Sequence, residues 1–320
     1  MGKYETAKLR NLGIVGQGDA GKTSLTEAIL YNTGMTDRLG RVDDGTSTMD
    51  FEPEEIKRQI TISSSLNHCE WGDCSLHIVD TPGYTNFLHD TRNCMRILGG
   101  SVLVVSAVDG VKAQTLKIWE WANEFEVPRI VFVNKMDRDR ADFLKAVDDV
   151  QKSLDTRAIA IAMPVGSGED FKGIIDLIDM KARFFKFDGK GTYDETEIPA
   201  EYLEEAQRLR FSMVEAAAEA DDELMEKYLE TESLDRDELL RGLREGTLTR
   251  VFTPVLCGSA TANIGVRNLL NAIVNCLPSP IDKGIQYGTN PKNGDADQRR
   301  PDPKEPFSAM VFKKIGRAHV

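Results

Sequence analysis

The sequence is poor in cysteine and in long apolar runs. Only 5 of its 320 residues are cysteines, at irregular spacing, so one is left over after any pairing. Such usage is typical of a reducing compartment and excludes a disulfide scaffold. The longest apolar run, residues 101–108, is far too short to span a bilayer, and no signal peptide precedes Leu12. These features predict a cytoplasmic protein with no membrane association.

Positive charge is also in deficit. Lysine and arginine total 40 against 52 aspartate and glutamate residues, which gives a net charge of −12 at pH 7. An acidic chain repels phosphate backbones on average, so we expect no direct nucleic-acid contact by this chain. We also expect a monomer. The rest of the composition, 41% hydrophobic and 29% charged, is ordinary for a globular protein. A chain of 320 residues has room for one large domain with an insertion, or for two domains.

Apolar strands alternate with helical stretches in two parts of the chain. Strands are predicted at 12–15, 61–69, 75–79, 101–107, 129–133 and 251–257, and helices at 24–31, after 85, at 113–125 and at 266–277. This alternation predicts an α/β fold with a doubly wound, mostly parallel sheet. The polar residues 36–59 predict a long loop, which in a compact domain is usually functional.

The alternation is interrupted between residues 157 and 250. Short strands are predicted there at 158–163, 173–179 and 182–187, followed by a charged loop and by helices at 201–229 and 235–245. This pattern predicts an inserted α+β subdomain. Beyond Pro280 the proline- and glycine-rich composition predicts a linker, and residues 306–313 predict a lone strand.

A glycine-rich motif lies between the first predicted strand and the first predicted helix. It fits G-x-x-x-x-G-K-[ST] and comprises Gly16, Gln17, Gly18, Asp19, Ala20, Gly21, Lys22 and Thr23. Its glycines let backbone N–H groups turn toward phosphate oxygens at the positive end of a helix. We expect Lys22 to reach the β- and γ-phosphates, Thr23 to ligate Mg²⁺, and Ser24 to lie near the α-phosphate. The motif predicts a nucleoside triphosphate site.

A second motif follows the apolar strand that ends at Val79. It comprises Asp80, Thr81, Pro82 and Gly83. Asp80 stands at the position of a Walker-B-type acid and can hold the metal through water, while the Gly83 N–H can contact the γ-phosphate. Alone the motif is merely a good turn, but downstream of a P-loop it indicates a second part of the phosphate site.

A third motif ends the predicted strand 129–133. It comprises Asn134, Lys135, Met136 and Asp137. The Asp137 carboxylate can accept from both the N1–H and the exocyclic amine of guanine, a pair that adenine cannot offer. Lys135 would cover the base, Asn134 would tie the loop to the P-loop, and Ser259 with the Ala260 N–H would complete the base pocket. The pattern favours a guanine nucleotide and opposes an adenine-nucleotide ATPase.

The order of these motifs resembles the GTPase fold. Residues 58–62 are similar to the first switch of translational GTPases, in which the threonine, here Thr61, binds Mg²⁺ only in the GTP state. Residues 131–138, 173–178 and 223–229 resemble elongation factor G, and 257–260 and 277–280 agree with it. The resemblance covers nearly the whole chain. It implies hydrolysis of GTP to GDP and phosphate with Mg²⁺, and the ribosome as a partner, mainly through domains absent from this sequence.

The pattern of strands and helices, together with the resemblance, predicts how the chain is divided. The first part of the GTPase domain is predicted at 1–156, the inserted subdomain at 157–250, and the final strand and helix of the GTPase domain at 251–282. Residues 283–320 are predicted to be a linker and the start of a truncated β-barrel domain, although 315–320 match nothing expected of that barrel.

Two residues depart from the pattern of the family. Gln59 stands where glycine is usual, and Tyr84 stands where a histidine is thought to orient the attacking water. A tyrosine there is similar to the second, elongation factor G-like paralogues. Because tyrosine is neutral near pH 7, it brings no positive charge to the transition state, and weak hydrolysis without the ribosome is predicted. Lys22, Gly83 and Tyr84 are the catalytic candidates. A GTP-binding regulatory switch with little or no hydrolysis and no translocase role stays open.

Overall fold

The structure, a computed structural model, describes residues 4–186, 188–290 and 292–313. Its strands form sheets of 7, 4 and 2 strands. In chain order they are β1 Leu9–Val15, β2 Ser65–Trp71, β3 Cys74–Asp80, β4 Gly100–Ser106, β5 Arg129–Asn134, β6 Ala158–Ala160, β7 Ala162–Val165, β8 Gly173–Asp176, β9 Lys181–Phe185, β10 Tyr193–Thr196, β11 Thr253–Cys257, β12 Gln286–Thr289 and β13 Ala296–Arg299.

Some of the helices belong to the domain of the largest sheet, and others form part of the insertion. In chain order they are α1 Lys22–Asn32, α2 Pro53–Arg58, α3 Leu88–Met95, α4 Ala113–Glu124, α5 Phe143–Ser153, α6 Ala200–Glu219, α7 Asp222–Thr231, α8 Arg236–Leu248, α9 Val266–Cys276 and α10 Pro280–Lys283. Within the described ranges, none of them is both long and apolar enough to cross a membrane. All 5 cysteines are buried and free.

The seven-stranded sheet has the order β2-β3-β1-β4-β5-β11-β6. The pair β2–β3 is antiparallel and the other neighbours are parallel. Because β4 and β5 are buried at every residue, both faces of the sheet are covered, which explains the continuous apolar runs at 102–105 and 130–133. The carboxyl ends of parallel strands meet at one edge, so the loops after β1, β3, β5 and β11 are brought together there. The predicted α/β fold class is confirmed.

The four-stranded sheet is antiparallel, with the order β10-β9-β8-β7. Helix α6 packs against α7 and α8, and α8 packs against α9 of the central domain. Strand β6 joins the large sheet through pairing with β11, although the predicted insertion includes its residues. The boundaries 157 and 250 themselves stay predictions.

Several local elements differ from the sequence expectations. The predicted loop 36–59 contains α2, which begins at Pro53 and carries a capping box between Glu52 and Glu55. The predicted helix 201–229 is divided into α6 and α7, because Asp221 accepts a hydrogen bond from the Leu224 N–H and starts a new helix. Helix α5 was not predicted, and neither was β10.

The prediction of a strand at 306–313 is wrong, since the structure places no strand there. A strand needs a neighbour for its backbone N–H and C=O groups, and these residues have none within the described chain. The predicted linker instead contains the two-stranded hairpin β12–β13. The prediction for residues 315–320 lies outside the described residues.

Candidate functional site

The loop between β1 and α1 takes its shape from glycines. Gly16 and Gly21 have φ values of 146° and 92°. A Cβ atom on Gly16 would lie 2.5 Å from the Val104 carbonyl oxygen, and one on Gly21 would overlap the Asn134 side chain. Only glycine therefore fits at these two positions. The loop leads directly into the amino end of α1, where free backbone N–H groups favour anions.

Lys22, the first residue of α1, is buried beneath this loop. Its Nζ donates to the Gln17 carbonyl oxygen at 2.8 Å. Burial lowers the pKa of Lys22 to about 8, although Asp80 and Asp19 oppose the shift. A Cβ atom on Gly83 would overlap Lys22 Nζ and the Gln17 backbone, so only a glycine lets the second motif approach the P-loop this closely.

Four oxygen-bearing side chains meet next to Lys22. Thr23 Oγ1 donates to Asp80 Oδ2 at 2.8 Å and lies 2.9 Å from Thr61 Oγ1, which in turn donates to Asp50 Oδ1 at 2.9 Å. Among the described residues, Asp80 Oδ1 and Asp50 Oδ2 are buried without a hydrogen-bond partner. Burial raises the pKa of Asp80 to about 7 and that of Asp50 to about 6. Hard oxygen ligands with spare lone pairs suit Mg²⁺, so the residues present fit this ion.

The candidate metal centre depends on hydroxyls as much as on acids. In the described part of the chain, no group of three or more His, Cys, Asp or Glu side chains is placed to hold a metal ion. Asp50 was not identified from the sequence, because it follows a stretch with other acids, such as Asp43 and Asp44, and belongs to no motif. Only its burial distinguishes it from those exposed neighbours.

Two further buried carboxylates hold the segment that carries Thr61. Glu27 Oε1 accepts from the Ser47 hydroxyl at 2.9 Å and from the backbone N–H groups of residues 48 and 49 at 2.6 and 2.9 Å. Glu55 Oε1 accepts from the N–H groups of residues 62 and 63 at 2.8 and 3.0 Å. Thr61 therefore lies between two anchored stretches of backbone. Neither glutamate was identified from the sequence.

The remaining residues of the second motif fix its backbone. Thr81 Oγ1 donates to the Ile14 carbonyl oxygen of β1 at 2.8 Å. The Pro82 carbonyl oxygen accepts from Thr91 Oγ1 of α3 at 2.6 Å. The motif is thus tied on one side to the central sheet and on the other to the helix that follows it.

Asn134 connects three loops at the carboxyl edge of the sheet. Its Nδ2 donates to the Ala20 carbonyl oxygen at 2.9 Å, and its Oδ1 accepts from the Ala260 N–H at 2.9 Å. The Ala260 N–H, expected to face a base, is therefore engaged by Asn134. Ser259 Oγ accepts from the N–H of residue 262 at 3.1 Å, and the Met136 N–H donates to the carbonyl oxygen of residue 258 at 3.2 Å.

A cleft of about 410 Å³ opens beside these loops. Its lining includes Ser24, residues 39–44, Asp137, Arg138 and residues 260–262. Within the described ranges, Asp137 Oδ1 is buried and accepts no hydrogen bond. A buried, unpaired carboxylate oxygen in a polar cleft is suited to two adjacent N–H donors of a ligand. Lys135, at the mouth of the same loop, has a left-handed φ of 66°.

Tyr84 lies against the P-loop. Its hydroxyl donates to Asp19 Oδ1 at 2.7 Å, and its ring covers Gly18. Burial, and then the hydrogen bond to Asp19, raise the pKa of Tyr84 to about 12, so the ring is neutral at physiological pH. All the predicted phosphate-site residues are thus near one another, with Tyr84 directed at Asp19.

The doubly wound sheet, the glycine-rich loop after β1 and the loop of residues 134–137 after β5 are features of a P-loop GTPase, the class to which this chain belongs. The family model described as "Elongation factor Tu GTP binding domain" matches residues 7–279, and the chain belongs to that family. More narrowly, it is an elongation factor G-like GTPase domain.

Individual relatives agree with this assignment. Elongation factor G of Thermotoga petrophila and that of Thermotoga maritima are each 44% identical over 306 residues, which cover 96% of this chain and 44% of each relative. A crystal structure of a protein from Thermus thermophilus is 31% identical, with a TM-score of 0.81 over 92% of this chain and 46% of that one. The chain therefore spans a little less than half the length of these proteins. The predicted family is confirmed.

Proposed function

We propose that the chain binds and hydrolyses GTP as part of an elongation factor G-like protein that acts on the ribosome in the cytoplasm. The observation that carries the proposal is the contact of Thr61 with Thr23, whose hydroxyl also donates to Asp80. A residue of the first switch thereby shares one oxygen cluster with the P-loop and the second motif. Such sharing is what lets a γ-phosphate and its metal order a switch segment.

The phosphate groups would lie against the P-loop, with Lys22 at the β- and γ-phosphates and the Gly83 N–H at the γ-phosphate. Asp137 would select guanine, and Lys135 would cover the base. The full set proposed to contact GTP is Gly16, Gln17, Gly18, Asp19, Ala20, Gly21, Lys22, Thr23, Ser24, Asp80, Thr81, Pro82, Gly83, Asn134, Lys135, Met136, Asp137, Ser259 and Ala260.

Mg²⁺ would be held by Thr23, by Thr61 and, through water, by Asp80. When bound, the ion neutralises negative charge on the phosphates, which is the main electrostatic need of phosphoryl transfer. The chain itself supplies the P-loop backbone, the Lys22 ammonium and the first-switch anchors at Glu27 and Glu55, and these orient the triphosphate and limit its motion.

Tyr84 supports assignment to the second, elongation factor G-like paralogues, with weak hydrolysis in the absence of ribosomes. Its hydroxyl is engaged by Asp19, and a neutral ring cannot supply the positive charge of an imidazolium. The same contact favours the alternative function, a GTP-binding regulatory switch with little hydrolysis and no translocase role. We also propose a monomer, without direct nucleic-acid contact by this chain, and the four segments 1–156, 157–250, 251–282 and 283–320.

Single-turnover GTP hydrolysis by the full-length protein, with and without ribosomes, tests the proposal. We expect slow hydrolysis alone and a clear stimulation by ribosomes. Tyr84→His should raise the ribosome-stimulated rate at least about tenfold, or about 1.4 kcal/mol of barrier. Tyr287→Phe, at an exposed tyrosine of β12, is the control and should change nothing. Tight GTP binding without any ribosome stimulation, in both the unmodified and the Tyr84→His protein, would establish the switch instead.

A further inference from the structure

The contact between Tyr84 and the P-loop depends on a glycine that the backbone does not require. Gly18, unlike Gly16 and Gly21, has no left-handed φ, so other residues could adopt its backbone conformation. A Cβ atom added there would lie 3.0 Å from the Tyr84 ring and 3.1 Å from two more of its carbons. That spacing is tighter than ordinary van der Waals contact, so a side chain at position 18 would push the ring back by a few tenths of an ångström. The missing side chain of Gly18 is what makes room for Tyr84.

The neighbouring residue completes the contact through its side chain. Asp19 has a left-handed φ of 60°, which is uncommon outside glycine, and its Oδ1 accepts the Tyr84 hydroxyl at 2.7 Å. A hydrogen bond to an ionised acceptor is stronger than one between neutral groups. One step along the chain from Tyr84, Gly83 packs on Gln17 and Lys22. Gly83 and Tyr84 belong to the segment 80–84, the second switch, and together they contact residues 17, 18, 19 and 22 of the P-loop.

We propose that Gly18 and Asp19 form a binding site for the Tyr84 side chain, and we call this interaction the Tyr84 contact. Tyr84 is then a positioning residue that holds the second switch against the P-loop and slows nucleotide release. The Tyr84 contact restricts the motion of the backbone that would surround the phosphates, and this backbone has to move before a nucleotide is released. The role in nucleotide release rests on the proposed function, whereas the contact itself does not.

The contact is tested first without nucleotide, by ¹⁹F NMR of the protein labelled with 3-fluorotyrosine. The Tyr84 resonance is assigned by its loss in Tyr84→Phe, and Tyr287, which is 81% exposed, supplies the reference for a solvated ring. Gly18→Ala and Asp19→Asn should each shift the Tyr84 resonance toward that reference. Gly288→Ala is the matched control, because a Cβ atom there meets nothing within 4 Å. A Tyr84 resonance that neither variant moves would overturn the proposal.

The consequence for the nucleotide is tested by release of a fluorescent GDP analogue in stopped flow. Tyr84→Phe and Gly18→Ala should each speed release about three- to tenfold, as expected for loss of one partly exposed, charge-assisted contact. The double variant should release GDP no faster than the faster single variant, since both changes break one contact. Unchanged rates of GDP release in both single variants would overturn the proposed role of the Tyr84 contact in nucleotide release. Failure of the analogue to bind at all would overturn the proposed function, while the ¹⁹F resonances would still decide whether the contact exists.

Discussion

Two regions of the molecule bury carboxylates, and they satisfy them differently. In the inserted sheet, Arg183 lies among three acids, with nitrogen–oxygen distances of 2.6 Å to Asp176, 3.2 Å to Asp179 and 3.0 Å to Glu195. Near the P-loop, four other acids each leave one buried oxygen without a hydrogen-bond partner in the described chain. Three of them, Asp50, Asp80 and Asp137, belong to the proposed site, and the fourth is Glu27, which anchors the segment of Thr61 through its other oxygen. In the insertion, an arginine of the same fold pairs with the acids, whereas near the P-loop these buried carboxylate oxygens have no partner in the described chain.

The difference has a physical meaning, because a buried carboxylate oxygen without a partner costs free energy. Burial raises the pKa values of Asp50 and Asp80 well above the ordinary range of an aspartate, and it also raises the pKa of Asp176, so the missing partners rather than the pKa shifts distinguish the two regions. A fold keeps such groups when a ligand supplies the missing partners. We therefore expect Asp50, Asp80 and Asp137 to serve a cation or a base, whereas Glu27 already uses its other oxygen to hold the backbone of residues 48 and 49.

The largest expected effect is on Asp137. Asp137→Asn removes the acceptor for two guanine donors, so we expect affinity for GDP and GTP to fall on the order of 10³-fold, with a gain for xanthine nucleotides, whose 2-oxo group suits an amide donor. Calorimetric titration measures these affinities, and Asp139→Asn, at an exposed acid of the same loop, is the control. Comparable ATP and GTP affinities in the unmodified protein would contradict the assignment of Asp137.

The second prediction concerns the ion-pair cluster of Arg183 in the inserted sheet. Arg183→Met leaves Asp176 buried without its cation, and loss of one partner of a buried pair is expected to cost about 3 kcal/mol of unfolding free energy. Denaturant titration measures the change. Arg208→Met is the matched control, because the exposed pair of Arg208 with Glu205 should contribute less than about 1 kcal/mol. Equal losses in the two variants would remove the distinction between the regions.

The sequence predicted the local backbone of the glycine-rich loop because the motif constrains its own surroundings. A P-loop lysine needs a glycine turn between a strand and a helix, and the structure shows that turn, with Gly16 and Gly21 in left-handed conformations. The same reasoning could not find Asp50, Glu27 or Glu55. These acids have no local pattern, and their importance arises from burial, which depends on residues distant in sequence.

Parts of the fold escaped prediction for similar reasons. Strand β10 contains Asp194 and Glu195, residues that are rare in strands, and it forms because its backbone pairs with β9 at the edge of the sheet. One hydrogen bond at the site was also not anticipated from the sequence. The Ala260 N–H was expected to meet a base, and only the fold reveals that Asn134 reaches it first.

The third prediction concerns pH and the ligand-free protein. Because the folded-state pKa values of Asp50 and Asp80, about 6 and 7, exceed the unfolded value of 3.8, the folded state binds more protons between these limits. Stability is therefore greatest at low pH in this respect and falls as pH rises through the two folded-state values. We expect the unfolding free energy, measured with a chelator and no nucleotide, to be lower at pH 8 than at pH 5.5, on the order of 2 kcal/mol. Saturating Mg²⁺ and GDP should remove most of the difference; if it persists, other groups cause it.

The smallest expected effect is a change in stability whose sign differs between variants of Asp50 and Asp176. Asp50→Asn removes a buried charge whose Oδ2 has no partner among the described residues, and the amide oxygen can still accept from Thr61 Oγ1. At pH 8 the ligand-free protein should gain about 1 kcal/mol of stability, at the expense of the electrostatic field that a metal ion needs. Asp176→Asn should do the opposite, because Asp176 is the partner of the buried Arg183. Thermal unfolding of both variants measures the two signs. If both substitutions destabilise the protein alike, the charge of Asp50 is already compensated within the fold, and its place beside Thr61 is structural.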